Sequence, residues 1–196
     1  MRTAAKAAIA ALSFTGLFPG EARAHLVTTG LGPVYDGISH FALTPEDLLP
    51  VLAIALLAGL SGPRCGRTVL FVLPVAWLSG GLLGLSRSSE LLLPALTAST
   101  LLALGAMVAL DRKLPLGLAA GLAAALGFFH GYLNGSAKLG VLGLSGIAAT
   151  LFVVVALVAA FVVSLRAPWS RIAVRVAGSW LVAISMLMLG WAFRAE

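Results

Sequence analysis

Charge is what this sequence has least of. Only 10% of its 196 residues are Asp, Glu, Lys or Arg, whereas 60% are hydrophobic. A soluble domain carries roughly a quarter charged residues, so a water-surrounded globule is excluded and the chain belongs in a bilayer. Cysteine is nearly absent: Cys65 stands alone, which rules out an internal disulfide and any thiolate metal cluster built within one chain. Seven acids face thirteen basic residues, for a net charge of +6. In a soluble protein that excess would raise nucleic acid as a partner. No basic cluster with interleaved aromatics occurs, so nucleic acid is excluded. Neither Gly-x-Ser-x-Gly nor His-Glu-x-x-His appears. The adjacent acids Glu46 and Asp47 would point about 100° apart on a helix and make no catalytic dyad, so we expect no enzyme.

Apolar runs and the residues that interrupt them are what the sequence does contain. Residues 1–24 read MRTAAKAAIAALSFTGLFPGEARA. Arg2 and Lys6 precede an apolar core that ends at Phe18, and Ala22-Arg23-Ala24 supplies the small residues of a cleavage site. That is the form of an export signal, with an apolar core short of the roughly 20 residues a bilayer span needs. Cleavage after Ala24 would leave His25 as the mature N-terminus, where its α-amino group and imidazole could chelate one metal ion together.

Six further apolar segments follow, at about 46–62, 68–86, 91–110, 115–135, 139–165 and 170–193. Each is long enough to span with modest tilt, and the short polar breaks between them demand antiparallel neighbours. The expected fold is an all-α integral membrane protein, a six-transmembrane-helix bundle over residues 44–196. It follows a cleavable signal peptide (1–24) and a periplasmic N-terminal segment (25–43). An exported N-terminus places the first, third and fifth inter-span loops inside. Arg64, Arg67, Arg112, Lys113, Arg166, Arg171 and Arg175 then lie on the inner side, with Arg87, Lys138 and Arg194 outside. Seven against three obeys the positive-inside rule. Both lines indicate a bacterial inner membrane with a periplasmic mature N-terminus.

This topology gathers the polar chemistry at one end. His25, His40, Glu46 and Asp47 fall at or before the outer start of the first span, and His130 and Asn134 ("GFFHGYLNG") near the outer end of the fourth. His130 and Asn134 stand i, i+4, on one helix face. Imidazole nitrogens with carboxylate or amide oxygens suit a borderline divalent cation. Each piece also has a structural reading. Thr44-Pro45-Glu46-Asp47 is a good helix start, with Thr44 as N-cap, Pro45 first in the helix and acids complementing the dipole. Asp47, three after Thr44, stands at the capping-box position, so on this reading it caps its helix and His40 and Glu46 are preferred as ligands. His40 alone reads as a loop histidine, and Asp36 as a solvated loop aspartate. Asn134 could bond a neighbouring helix, with Gly131 and Gly135 drawing that neighbour close. His130 is the exception, because ionisable groups inside spans face the bundle interior or a cavity. Tyr35, Trp77, Trp169, Trp180 and Trp191 read as interface anchors or packing. Lys138 follows Asn134 by one turn and must snorkel away for a cation site to stand.

The pattern resembles the HupE/UreJ family, hydrogenase and urease accessory membrane proteins regarded as nickel or cobalt permeases. Its first span opens on H-P-x-x-G-x-D-H-L-L, where this chain has His40 to Leu49. "LPVAWLSGGLLGL" is similar to its second span, and "FFHGYLNG" to its F-H-G-x-A-H-G motif, with His130, Gly131 and Gly135 kept. Glu46-Asp47 replaces an Asp-His pair and Asn134 a second histidine, which moves the donor set toward oxygen. The resemblance implies a permease that captures a divalent transition metal from the periplasm through His25, His40, Glu46, Asp47, His130 and Asn134. The metal is substrate, with no tightly bound cofactor. Capture by neutral imidazole would weaken as pH falls through the histidine range near roughly 6.5. The alternative is a non-transporting accessory protein assisting a metalloenzyme. Partners on these readings are the lipid bilayer, the metal ion, and a second copy or a metalloenzyme.

Overall fold

The structure, a computed structural model, describes residues 29–86, 94–137 and 139–194. The export signal, His25 and Lys138 lie outside the described residues. Among those described, seven α-helices and no strand form: α1 Pro33–Leu43, α2 Pro45–Ser61, α3 Pro63–Gly84, α4 Pro94–Ala109, α5 Leu116–Ser136, α6 Gly140–Ser164 and α7 Pro168–Ala192.

Proline punctuates this order. It opens α1, α2, α3, α4 and α7, and Pro115 precedes α5. At a helix start its missing N–H removes no intrahelical bond and its fixed φ is already helical. Thr44 shows the accompanying cost. Standing before Pro45, it is pushed into extended backbone (φ −102°, ψ 98°), as pre-proline residues are. The helix breaks there, and α1 and α2 meet at a bend of 75°.

α2 is the centre of the bundle. Val51, Ala53, Ile54, Ala55, Leu57, Ala58, Gly59 and Leu60 are all buried, and so continuous a run means burial on every face. It touches each of the other helices. α3 packs against α5, α4 against α7, and α6 against α1, α2 and α3. The outer surface is apolar, with Phe71, Val75, Leu157, Phe161, Trp180 and Leu187 exposed. That surface suits lipid, not water.

Glycine sets the α3–α5 distance. A Cβ on Gly80 or Gly84 of α3 would land on the carbonyl oxygen of Phe128 or Tyr132, and one on Gly131 or Gly135 of α5 on that of Trp77 or Gly81. The two backbones touch along small residues four apart, the close-packing mode that lipid-embedded helices favour.

The six-span expectation is only partly met. Each of the six apolar segments carries a helix, but among the described residues α3, α5, α6 and α7 alone are long and apolar enough to cross a membrane, or five spans if the bent α1–α2 pair counts as one. α4 has 16 residues, about 24 Å at the usual rise. Residues 33–43, expected as part of an extramembrane segment, form α1, so His40 stands on a helix and not in a loop. Asp36 is also on α1, where the amide and hydroxyl of Thr29 donate to its Oδ1 at 2.6 and 2.7 Å.

The bundle has two distinct ends. At one, the Leu114 amide donates to Ser61 Oγ at 2.9 Å and Arg171 grips Asp111 at 2.7 Å, which joins the α2–α3, α4–α5 and α6–α7 connections. Asp111 is left-handed (φ 52°) and ends α4 with Arg112 N–H on the Met107 carbonyl and Asp111 N–H on that of Val108. This is a Schellman closure with Asp in the usual glycine position. The other end holds Asp47, Asn134 and the C-terminus of α7.

Candidate functional site

Helix α2 enters the bundle with Glu46 and Asp47 in its first turn, and the two carboxylates part company. Glu46 is exposed beside Pro94, Thr97 and Trp191. Asp47 turns inward and is buried, at 5% exposure. Its partners come from the last two turns of α5. His130 Nδ1 lies 2.8 Å from Asp47 Oδ1, and Asn134 Nδ2 donates to Asp47 Oδ2 at 2.9 Å. The same Nδ2 also donates to the His130 carbonyl at 2.9 Å. His130 is fully buried and Asn134 is 3% exposed.

The expectation that Asp47 caps its own helix therefore gives way to a pairing across the bundle. Thr44 stands at the N-cap without a side-chain cap bond. Its hydroxyl instead donates to the His40 carbonyl at 2.6 Å, which serves the open end of α1.

An aromatic wall completes the site. The Trp77 indole stacks on the His130 imidazole (centroids 5.6 Å apart, planes at 26°). Phe129 meets the same imidazole edge-on and Phe41 meets Trp77. Trp77, read from sequence as an anchor or packing residue, is wholly buried against the site. Tyr35, Trp169, Trp180 and Trp191 are exposed. Trp77 was legible in one respect, since it lies three and four residues before Gly80 and Gly81 and so shares the helix face that approaches α5.

Among the described residues, three buried side-chain polar atoms have no hydrogen-bond partner: His130 Nε2, Asn134 Oδ1 and Trp77 Nε1. An unpaired buried polar group costs about 1–3 kcal/mol, and three around one imidazole mark the place as something other than packing. In the tautomer that carries its proton on Nδ1 and donates it to Asp47, the His130 Nε2 lone pair is free to bind a cation. A carboxylate that orients a histidine in this way is the usual outer support of a metal-binding imidazole.

Of the six residues expected as metal ligands, the structure brings together Asp47, His130 and Asn134. His40, partly buried on α1, and Glu46 make no side-chain bond to that cluster. Among the described residues no three of His, Cys, Asp and Glu come close enough to hold a metal ion between them. The donors without any partner are one imidazole nitrogen and one amide oxygen, while each Asp47 oxygen already accepts one hydrogen bond.

This arrangement can now be set beside known proteins. The family model described as HupE / UreJ protein matches residues 12–189. The chain belongs to the HupE/UreJ family. No curated protein and no solved structure matches it. The match extends over every described helix up to the last turn of α7. It is to a family of accessory membrane proteins associated with nickel and cobalt, which agrees with the apolar, lipid-facing surface of this HupE/UreJ chain.

Proposed function

We propose that this HupE/UreJ protein is a permease of the bacterial inner membrane that captures a divalent transition metal, nickel or cobalt, and passes it across the bilayer. One observation supports this most: a histidine held by a carboxylate inside an apolar bundle, with its second nitrogen unpartnered. Asp47 acts as the positioning residue, His130 Nε2 and Asn134 Oδ1 as ligands, and the remaining coordination positions belong to water or to a transient donor from the entrance. A site with few protein ligands suits cargo that must leave again. Catalysis is disfavoured on the same geometry. The hydroxyls of Ser136, Ser145 and Thr150, on the two helices at this end, bond carbonyls of their own helices and not His130.

The second reading is a non-transporting membrane protein that assists a metalloenzyme. The apolar interior favours it, because Pro50 to Leu60 of the central helix offers no polar side chain below the site. Nickel uptake by proteoliposomes of the purified full chain separates the two. The permease reading expects uptake above empty vesicles, reduced tenfold or more by His130→Ala. Nickel binding without uptake would select the accessory reading, and neither binding nor uptake would remove both.

A further inference from the structure

The end of the bundle opposite the histidine site carries a surface feature with no role in metal capture. A groove of about 500 Å³ runs between α3 and α6. Its floor is made of small residues, Gly66 of α3 with Ala156, Ala159 and Ala160 of α6. α3 and α6 meet closely beneath it, where a Cβ on Gly66 would lie 3.4 Å from that of Ala159. Leu70 and Val163 wall it, and Leu157 and Phe161, exposed beside it, show that it opens on the lipid-facing surface. One end of the groove is cationic, where Arg67 and Arg166 both line it and both are exposed. No carboxylate among the described residues pairs with either; the Asp111 carboxylate there is held by Arg171. The N-terminus of α3 also lies at that end, with no side-chain cap, and adds its positive dipole.

A shallow apolar channel along Val155 to Ser164 of α6, about 15 Å at the usual rise, that ends in two guanidiniums without a carboxylate partner has the polarity of a lipid and room for part of an acyl chain. We propose that the α3–α6 groove seats an acyl chain of an anionic phospholipid whose phosphate is held by Arg67 and Arg166. Guanidinium forks match phosphate oxygens bidentately, and basic pockets between membrane helices select anionic head groups. Charge complementarity argues against a second copy as occupant, because a symmetric partner would bring the same arginines against each other. The inference is independent of the metal reading, since none of its residues touches Asp47, His130 or Asn134.

The full chain, reconstituted in nanodiscs of equal phosphatidylglycerol and phosphatidylcholine, is extracted gently and its retained lipids are measured by native mass spectrometry. The wild type should retain the anionic lipid in at least about fivefold excess, the factor one well-placed arginine supplies. Arg67→Gln with Arg166→Gln should bring the ratio near one. Ala160→Leu, which fills the floor and leaves both arginines, should abolish retention. Arg112→Gln with Lys113→Gln, at the same end but outside the groove, should change nothing, and excess inorganic phosphate should not displace the lipid. Val163→Phe obstructs the groove from its wall and serves if Ala160→Leu fails to fold. Equal retention of both lipids by the wild type overturns the proposal, as does an equal loss in the Arg112/Lys113 pair. Undiminished retention in the obstructed variant, displacement by phosphate, or a dimer that retains no lipid overturns it too.

Discussion

Two neighbouring acids, Glu46 and Asp47, share a chemistry and differ only in the direction the helix gives them. A carboxylate in an apolar interior is tolerable only when its oxygens are bonded, and Asp47 has one partner on each. Glu46 meets water at the surface. We expect Asp47→Asn to lower nickel affinity about 10- to 100-fold, the range found when the outer support of a metal-binding histidine is lost. Glu46→Gln should stay within about twofold. Equilibrium dialysis of the two variants checks this, and the reverse order would sink the assignment of Asp47 as the residue that orients His130. The local sequence ranks the pair the other way, with Glu46 as ligand and Asp47 as helix cap, and the structure reverses that order. Thr-Pro-Glu-Asp satisfies every rule for starting a helix, and only α5, over 80 residues further on, supplies the partners that turn Asp47 from cap to clamp. His130, by contrast, was legible alone, because a histidine within an apolar segment has few places to go.

At the scale of the element, the site depends on how closely α3 and α5 approach. Gly131 sits next to His130, and a Cβ there would strike the Trp77 carbonyl. The spacing that lets Trp77 stack on His130 therefore requires glycine. Gly131→Ala should push the helices apart, lower the melting temperature by several degrees and weaken nickel binding together with the Trp77–His130 contact. Gly121→Ala is the control: nothing lies within 4 Å of its Cβ position, and alanine is the better helix former by about 0.5–1 kcal/mol. Thermal unfolding in detergent of both variants tests the claim, and equal melting temperatures would count against it. Helix positions were readable from apolar runs and prolines. α1 was not, because eleven residues with one acid and one histidine lack the length and hydrophobicity that identify a span, and its stability comes from packing Gly37 against α6.

For the whole molecule, the path of α4 decides the number of crossings. Its first turn lies near Glu46, whereas its C-terminus carries Asp111, gripped by Arg171 at the opposite end. The chain thus runs from one end of the bundle to the other through only 16 residues. At about 24 Å this falls short of a hydrocarbon core of roughly 30 Å, a mismatch that local thinning of the bilayer or helices flanking the short one can absorb. Because α4 lies against α2 and α7, its polar ends need not face lipid directly. Single-cysteine labelling follows from this path. In a Cys65→Ser background, cysteines at Glu46 and Ser86 should react with a membrane-impermeant maleimide from one face. Cysteines at Asp111 and Arg166 should react only from the other. On the proposed topology the basic excess around positions 64–67, 112–113 and 166–175 makes the latter face the cytoplasmic one. If Asp111 labels with Glu46, α4 does not cross and the chain turns back within the bilayer. If all four label from one side, the two ends of the bundle do not correspond to two faces of a membrane.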